Sequence, residues 1–282
     1  MAFGINAQMR SSETRVALGC WGSPLTFGRA TASAALICLG VVSVTTAALA
    51  QTLAQTKVAP KASIELFTSQ GCSSCPPADK LIGELARDPS LVTMSLAIDY
   101  WDYLGWKDTL ALKGHGKRQQ AYARMRGDRE VYTPQVVING VVHVSGSDKA
   151  AIERAIEQTQ RDAGAMHVPV TMTIVGDKLT VEVLAAAAAA DAREPAEVWL
   201  CPIIKKIPVA IERGENKGHT ITYSNVVRKW VKLGEWTGKA ETYNLSIKDF
   251  QNGEIDSVAV MVQSGGVNSP GLMLGAGVAS VR

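Results

Sequence analysis

The feature that most constrains this chain is a pair of cysteines, Cys72 and Cys75, separated by two serines. The pair directly follows a mostly apolar segment, residues 64–67, that is typical of a strand, and it precedes a helical pattern. A helix N-terminus carries a partial positive charge and unpaired N–H groups, so it stabilises the thiolate of the first cysteine. The second cysteine follows about one turn later and can resolve a mixed disulfide. The position therefore suits thiol–disulfide chemistry.

Residues 1–50 have the pattern of a secretory signal. A basic start precedes an uncharged segment at residues 30–49, which ends in a small-x-small cleavage site. We predict cleavage after Ala50, and therefore a periplasmic or secreted protein. The alternative is an uncleaved anchor, because about twenty apolar residues can just span a bilayer.

The charge balance argues against nucleic acid or anionic membrane as a partner. The whole chain has 29 basic and 26 acidic residues, of which three and one lie in residues 1–50, leaving 26 against 25. A near-neutral protein lacks the field that attracts polyanions. We therefore expect a protein or a small thiol or disulfide as substrate, no nucleic acid, and no stable membrane insertion after cleavage.

The cysteine count leaves one residue over. Of five cysteines, Cys20 and Cys38 lie in the predicted signal, and the remaining three cannot all pair within one chain. The simplest arrangement is a Cys72–Cys75 disulfide with Cys201 free. Because Cys201 lies in an apolar, strand-like run, we expect a buried and inert thiol.

The order of elements predicts the fold class. Residues 62–164 read as strand, helix, strand, helix, strand, hairpin strand and helix, with a two-residue hairpin signal at Asn139-Gly140. This order is the thioredoxin arrangement. Residues 165–282 contain several short strand-like runs that suggest a β-sandwich. We thus predict an α/β thioredoxin-like domain at 62–164 and an all-β sandwich-like domain at 165–282, preceded by a linker at 51–61.

Four stretches resemble the domain-of-unknown-function family 1223, which consists of secreted bacterial proteins with a thioredoxin-like fold. They are residues 65–79, 99–108, 131–135 and 211–228. The resemblance implies that Pro134, in the third of these stretches, is a cis-proline that faces the cysteine pair. Family members often carry a histidine where this chain has Ala97, so the resemblance gives no proton-accepting or ligating histidine here.

The predicted catalytic residues are Cys72 as nucleophile, Cys75 as resolving thiol, and Thr133 with Pro134 to align the substrate backbone. Glu65 is the single charge in a strand that we expect to be central. A carboxyl group in low dielectric has a raised pKa that suits proton transfer, so Glu65 is the predicted proton carrier. Its alternative is an edge or solvent-facing position.

A substrate groove is predicted from five further residues, which are Ser73, Ser74, Trp101, Tyr103 and Trp106. The alternatives are that the serines only fill an exposed turn and that the aromatic rings seal the core. Both roles are compatible for the aromatic residues.

Three functions are consistent with these features. The first is an exported thiol–disulfide oxidoreductase without a cofactor. The second is a non-catalytic protein-binding module with a structural disulfide. The third is copper binding or delivery by Cys72, Cys75 and one histidine, for which His115 is the best-placed candidate, since soft thiolates suit Cu(I). The four scattered histidines do not form the ligand pairs of a structural zinc site.

Overall fold

The computed structural model describes residues 60–162, 164–186 and 195–282. The predicted signal, its cleavage site and most of the predicted linker lie outside these residues. The helices are α1 (Pro76–Leu85), α2 (Lys113–Arg126) and α3 (Lys149–Asp162). The strands are β1 (Ala62–Thr68), β2 (Leu91–Ala97), β3 (Gln135–Ile138), β4 (Val142–Ser145), β5 (Val170–Val175), β6 (Lys178–Val183), β7 (Ala196–Ala210), β8 (Thr220–Val227), β9 (Val231–Trp236), β10 (Glu241–Ser246), β11 (Ser257–Gly266) and β12 (Ser269–Ser280).

Within the described residues, nine strands form one mixed sheet. Eight follow the order β12-β11-β7-β8-β2-β1-β3-β4, and β9 pairs with β7. In this sheet β1 runs parallel to β2 and antiparallel to β3. Strands β10, β6 and β5 form a second, smaller sheet.

The predicted fold class, an α/β thioredoxin-like domain followed by an all-β sandwich-like domain, is wrong. The chain is mostly β, and its large mixed sheet contains strands from both sides of residue 164. The connection is a parallel pairing of β2 with β8 at Ser95 and Val226. Residue 164, where the first predicted domain ends, lies between α3 and β5. The division into two domains at this point stays a prediction.

Side chains reinforce this connection between β2 and β8. The Ser95 hydroxyl donates to the carbonyl of Ser224 at 2.7 Å. The Asn225 amide donates to the carbonyl of Thr93 at 3.1 Å and to its hydroxyl at 2.8 Å. A strand buried on both faces still has an edge of N–H and C=O groups that must be paired. Apolar periodicity shows the burial of β2 but gives no information on which distant strand pairs with its edge.

The helices cover both faces of the N-terminal strands. On one face, α1 and α3 pack against Ile64 and Leu66 of β1. On the other face, Phe67 of β1 shares a core with Tyr122 of α2 and with Met261 of β11. This second core joins the N-terminal and C-terminal strands.

Candidate functional site

The cysteine turn (residues 69–75) connects β1 to α1. Its last residue, Cys75, caps the helix, and Pro76 and Pro77 occupy the first helical positions, where a missing N–H removes no intrahelical bond. Cys72 and Cys75 form a disulfide, which confirms the predicted pairing. Cys201 is free and buried, as predicted, and burial raises the pKa of its thiol.

Both cysteines are covered although the turn between them is at the surface. Cys72 is 2% exposed and Cys75 is 0% exposed. Ser73 and Ser74 are exposed, and the Ser74 hydroxyl lies 3.5 Å from the Cys72 Sγ. The two serines therefore form the exposed surface in front of the disulfide.

Thr133 and Pro134 lie beside the cysteine turn. The Ser74 hydroxyl donates to the carbonyl of Thr133 at 3.5 Å. The Thr133-Pro134 peptide bond is cis, as the resemblance implied. The carbonyl of Pro134 accepts a hydrogen bond from the Gly146 N–H at 3.0 Å, which anchors the dipeptide to the segment after β4. The structure thus brings together the two sequence motifs.

Trp101 and Tyr103 form an aromatic platform next to the turn. Their rings stack with centroids 6.1 Å apart, and Tyr103 is 76% exposed. The Trp101 indole donates to the Thr133 hydroxyl at 2.7 Å. A Cβ on Gly71 would lie 3.1 Å from the Cβ of Trp101, so glycine allows the turn to approach this closely. The platform therefore borders both the cysteine turn and the cis-proline.

Trp106 has a different role from the platform. Its indole donates to the side-chain oxygen of Gln70 at 2.8 Å, and the Gln70 N–H donates to Asp108 at 2.7 Å. Both contacts hold the start of the cysteine turn. Trp106 therefore supports the turn, whereas the ring of Tyr103 is exposed at the surface.

Asp79 is a buried acid that sequence analysis missed. It lies one turn after Cys75 on α1 and is 1% exposed. Burial raises the pKa of Asp79 to about 8, the hydrogen bond from the Thr68 hydroxyl lowers it, and the charge of Asp108 raises it. Its Oδ1 accepts that hydrogen bond at 2.8 Å, whereas Oδ2 has no partner among the described residues. The helical spacing of Cys75, Asp79 and Ile82 is the signal that could have placed this carboxyl group on the buried face.

Two further ionisable groups lie near Asp79. Burial raises the pKa of Asp108, which accepts hydrogen bonds from the backbone N–H groups of Gln70 and Leu110. Burial, followed by the charges of Asp79 and Asp108, raises the pKa of Tyr223. The interior behind the cysteine turn therefore favours neutral forms of acidic groups.

Glu65 is engaged in a buried ion pair. Its carboxylate accepts two hydrogen bonds from Arg118, at 2.6 and 2.9 Å, and one from the Tyr122 hydroxyl at 2.6 Å. Arg118 also donates to Gln263 of β11 at 2.8 Å and lies over the ring of Trp230. This cluster ties β1, α2 and β11 together, since a buried charge requires paired partners.

The loop between β7 and β8, here called the cover loop (residues 211–219), lies against the cysteine turn. The buried amide of Asn216 donates to the carbonyls of Gln70 and Cys72, both at 2.9 Å. Glu215 accepts a hydrogen bond from the Ser73 N–H at 3.3 Å. The loop belongs to the fourth resembling stretch, but no local signal in the sequence indicates these partners.

His115 is buried and its ring contacts Trp230. Burial lowers its pKa to about 4, and its Nδ1 lies 2.8 Å from the carbonyl of Ala97. Among residues 60–162, 164–186 and 195–282, no three His, Cys, Asp or Glu side chains are grouped so that they could hold a metal ion. The copper hypothesis therefore finds no ligand set in this part of the chain.

Comparisons with known proteins identify a family of unknown function and solved structures that are similar to this chain. Residues 63–263 match the family described as "Protein of unknown function (DUF1223)". The X-ray crystal structure of a protein from Agrobacterium tumefaciens is 31% identical, with a TM-score of 0.69 over 78% of this chain and 94% of that chain. HBP35 of Porphyromonas gingivalis is 14% identical, with a TM-score of 0.53 over 78% of this chain and 74% of that chain, which is a likeness of fold alone. No curated protein matches the chain.

Proposed function

Because the chain belongs to the family of proteins of unknown function DUF1223, we propose its function from its own site: a thiol–disulfide oxidoreductase that acts through Cys72 and Cys75. The observation that carries this proposal is a disulfide at the N-terminus of α1 with the buried acid Asp79 one turn behind it. A helix N-terminus stabilises a thiolate, and a neighbouring acid can exchange its proton.

The oxidised pair accepts two electrons from two substrate thiols. A substrate thiolate attacks the Cys72 Sγ, the Cys72–Cys75 bond breaks, and Cys75 leaves with the electron pair and takes up a proton. A second substrate thiolate then attacks the mixed disulfide and releases Cys72. The substrate gains one disulfide, and the protein gains two electrons and two protons. The reverse sequence reduces a substrate disulfide.

Asp79 supplies the proton in this scheme. Its pKa of about 8 is close to that of an ordinary thiol, so a proton passes between Asp79 and Cys75 with little driving force in either direction. Glu65 was the predicted proton carrier, but its carboxylate is already occupied by Arg118 and Tyr122. We therefore assign the proton-carrying role to Asp79.

The proposed substrate is a protein or peptide that lies across the exposed serines and the aromatic platform. Tyr103 and Trp101 offer a stacked surface beside Thr133 and the cysteine turn. Aromatic side chains supply large contact areas at recognition sites. Small thiols are expected to react without using the platform.

Export is part of the same proposal. It is supported by the signal pattern of residues 1–50 and by the disulfide, since disulfides persist in oxidising compartments. No helix in the described residues is long and apolar enough to cross a membrane.

A second candidate function is a non-catalytic binding module with a structural disulfide. The burial of both cysteines favours it, because reactive cysteines are usually in part accessible. The two functions differ in the reduction potential of the pair. A potential below about −300 mV is typical of structural disulfides.

The test is disulfide exchange between the protein and a disulfide-bonded model protein, with glutathione as the electron donor. We expect the Cys72→Ser variant to lose exchange and the Cys201→Ala variant to keep it, since Cys201 is outside the pair. Equal activity in the wild type and the Cys72→Ser variant would contradict the proposal. A Cys75→Ser variant should accumulate mixed disulfides at Cys72, which mass spectrometry can identify.

A further inference from the structure

The cover loop places a carboxylate against the cysteine turn, at the residue that follows Cys72. Glu215 accepts a hydrogen bond from the Ser73 N–H, and Ser73 directly follows Cys72. The adjacent Asn216 fixes the loop in this position through its two hydrogen bonds to the carbonyls of Gln70 and Cys72. The contact is therefore anchored by a buried side chain although Glu215 itself is exposed.

This arrangement opposes the effect of the helix. The N–H groups that precede the first turn of α1 are the donors that stabilise a thiolate at Cys72. Glu215 accepts a hydrogen bond from one of these groups, the Ser73 N–H, and adds a negative charge next to the residue that follows Cys72. Like charges disfavour ionisation of a neighbouring acid, so the carboxylate favours the neutral thiol and the disulfide.

We propose that Glu215 is a positioning residue that makes Cys72 a slower nucleophile and protects the Cys72–Cys75 disulfide against reduction. This inference rests on the proposed function, because it assigns a regulator to the same cysteine pair. The regulator lies 142 residues further along the chain than the Ser73 that it contacts. It links the redox behaviour of the turn to the position of a loop between two C-terminal strands.

Other charged groups surround the pair and remain unchanged in the test. Asp79 lies behind it on α1, Asp108 lies in the segment after β2, and Arg213 belongs to the cover loop. Burial raises the pKa of Asp79 to about 8, so Asp79 adds little negative charge near neutral pH, and burial also raises the pKa of Asp108. Asp108 contacts the cysteine turn at the Gln70 N–H, whereas Glu215 contacts it at the N–H of Ser73, the residue next to Cys72.

The experiment compares the full protein with the Glu215→Gln variant, which keeps a hydrogen-bond acceptor and removes the charge. Glu212→Gln is the matched control, because Glu212 is an exposed carboxylate of the same loop. After reduction with a phosphine, thiolate formation at Cys72 is followed by ultraviolet absorbance and by the rate of alkylation across pH.

We expect Cys72 to form its thiolate at a lower pH in the Glu215→Gln variant than in the wild type. Below the pKa of this thiol, alkylation of the variant should be faster by about three- to tenfold. Above that pKa, the equilibrium with glutathione should shift by the same factor toward the reduced protein, which raises the reduction potential of the pair by about 15–30 mV. The reduction potentials of the wild type and the variant should converge at lower pH, where the thiols of Cys72 and Cys75 are protonated in both proteins. A purely structural role for Glu215 would not produce this dependence on pH. Glu215→Ala should give a shift at least as large if the glutamine variant folds poorly.

Two results would overturn the inference. One is unchanged thiolate formation in both Glu215 variants, and the other is an equal shift in Glu212→Gln. These results are independent of turnover, because thiolate formation and the glutathione equilibrium are properties of the cysteine pair. A wild-type protein that catalyses no exchange but shows the Glu215 shift would contradict only the proposed function.

Discussion

The backbone N–H of Asp79 donates to the carbonyl of Cys75 at 3.1 Å, which places this acid one helical turn behind the disulfide. The carboxyl group is buried, and within the described part of the chain only one of its oxygens accepts a hydrogen bond, which comes from Thr68. Such a group favours its neutral form, because ionisation in low dielectric is unfavourable. The stability of the protein and its exchange chemistry should therefore both depend on Asp79.

Replacing Asp79 with asparagine should change the pH dependence of stability. The unfolded chain releases this proton at about pH 4, whereas the folded protein holds it up to about pH 8, so the wild type loses stability as the pH rises between these values. The stability of Asp79→Asn relative to the wild type should accordingly increase by about 3–5 kcal/mol over this range. Denaturant unfolding at both ends of the range measures this difference.

The exposed Glu84 provides the control on the same helix, because its replacement with glutamine should show no such dependence. Disulfide exchange by Asp79→Asn should also slow by about 100-fold, which is the lower end of what a positioned general acid or base contributes. A variant with the wild-type rate at every pH would exclude Asp79 as the proton carrier.

Removing the carboxylate of Glu65 should destabilise the fold. Glu65→Gln leaves the buried guanidinium of Arg118 without its counter-ion, and breaking such a pair costs about 3–5 kcal/mol. A double variant, Glu65→Leu with Arg118→Met, should lose less stability than Glu65→Gln, because no buried charge remains. Chemical denaturation of the wild type and of both variants measures these losses of stability.

The same variants separate stability from catalysis. We expect the folded fraction of Glu65→Gln to exchange disulfides at the wild-type rate. Loss of exchange in a protein that is still folded would instead support the predicted proton-carrying role of Glu65.

Tyr103 should contribute to the binding of protein substrates. Tyr103→Ala removes the exposed ring of the aromatic platform, and we expect KM for a disulfide-bonded protein to rise by about three- to tenfold, the equivalent of a single aromatic contact. Glutathione disulfide should react at an unchanged rate because it is too small to need the platform. Val175→Ala, which removes another exposed apolar side chain from the smaller sheet, should leave both rates unchanged.

Asn216 should control access to Cys72. Asn216→Ala removes two hydrogen bonds to the cysteine turn and leaves two carbonyls to find new partners, so we expect a loss of about 1–3 kcal/mol in stability. The loosened loop should also let dithiothreitol reduce the disulfide several times faster, which a quench with an alkylating reagent can follow. Lys217→Ala, at the next and exposed position, should behave as the wild type, and equal reduction rates in all three proteins would show that the loop does not limit access.

The local features of the site could be predicted from the sequence because each depends on neighbours in the chain. The strand-to-helix transition around Cys72 and Cys75 follows from apolar periodicity and from prolines that suit a first helical turn. The disulfide follows from cysteine spacing, and the cis state of Pro134 follows from the family resemblance.

The partners of the site could not be predicted in this way. Glu65 and Arg118 are 53 residues apart, and Asn216 and Cys72 are 144 residues apart. Asp79 is close to Cys75 in sequence, but its raised pKa depends on burial by the whole fold. Helical spacing can place this carboxyl group on a buried face, but the size of its pKa shift depends on the tertiary structure.

By itself, the sequence determined where the cysteine pair lies, how it is bonded and which helix presents it. Only the tertiary structure decided that β2 pairs with β8, that Glu65 is an ion-pair partner and that a C-terminal loop covers Cys72. Helix caps, turns and apolar periodicity depend on residues that are close in sequence, so they can be predicted from the sequence. The pairing of strand edges and the burial of charge depend on segments that only folding brings together.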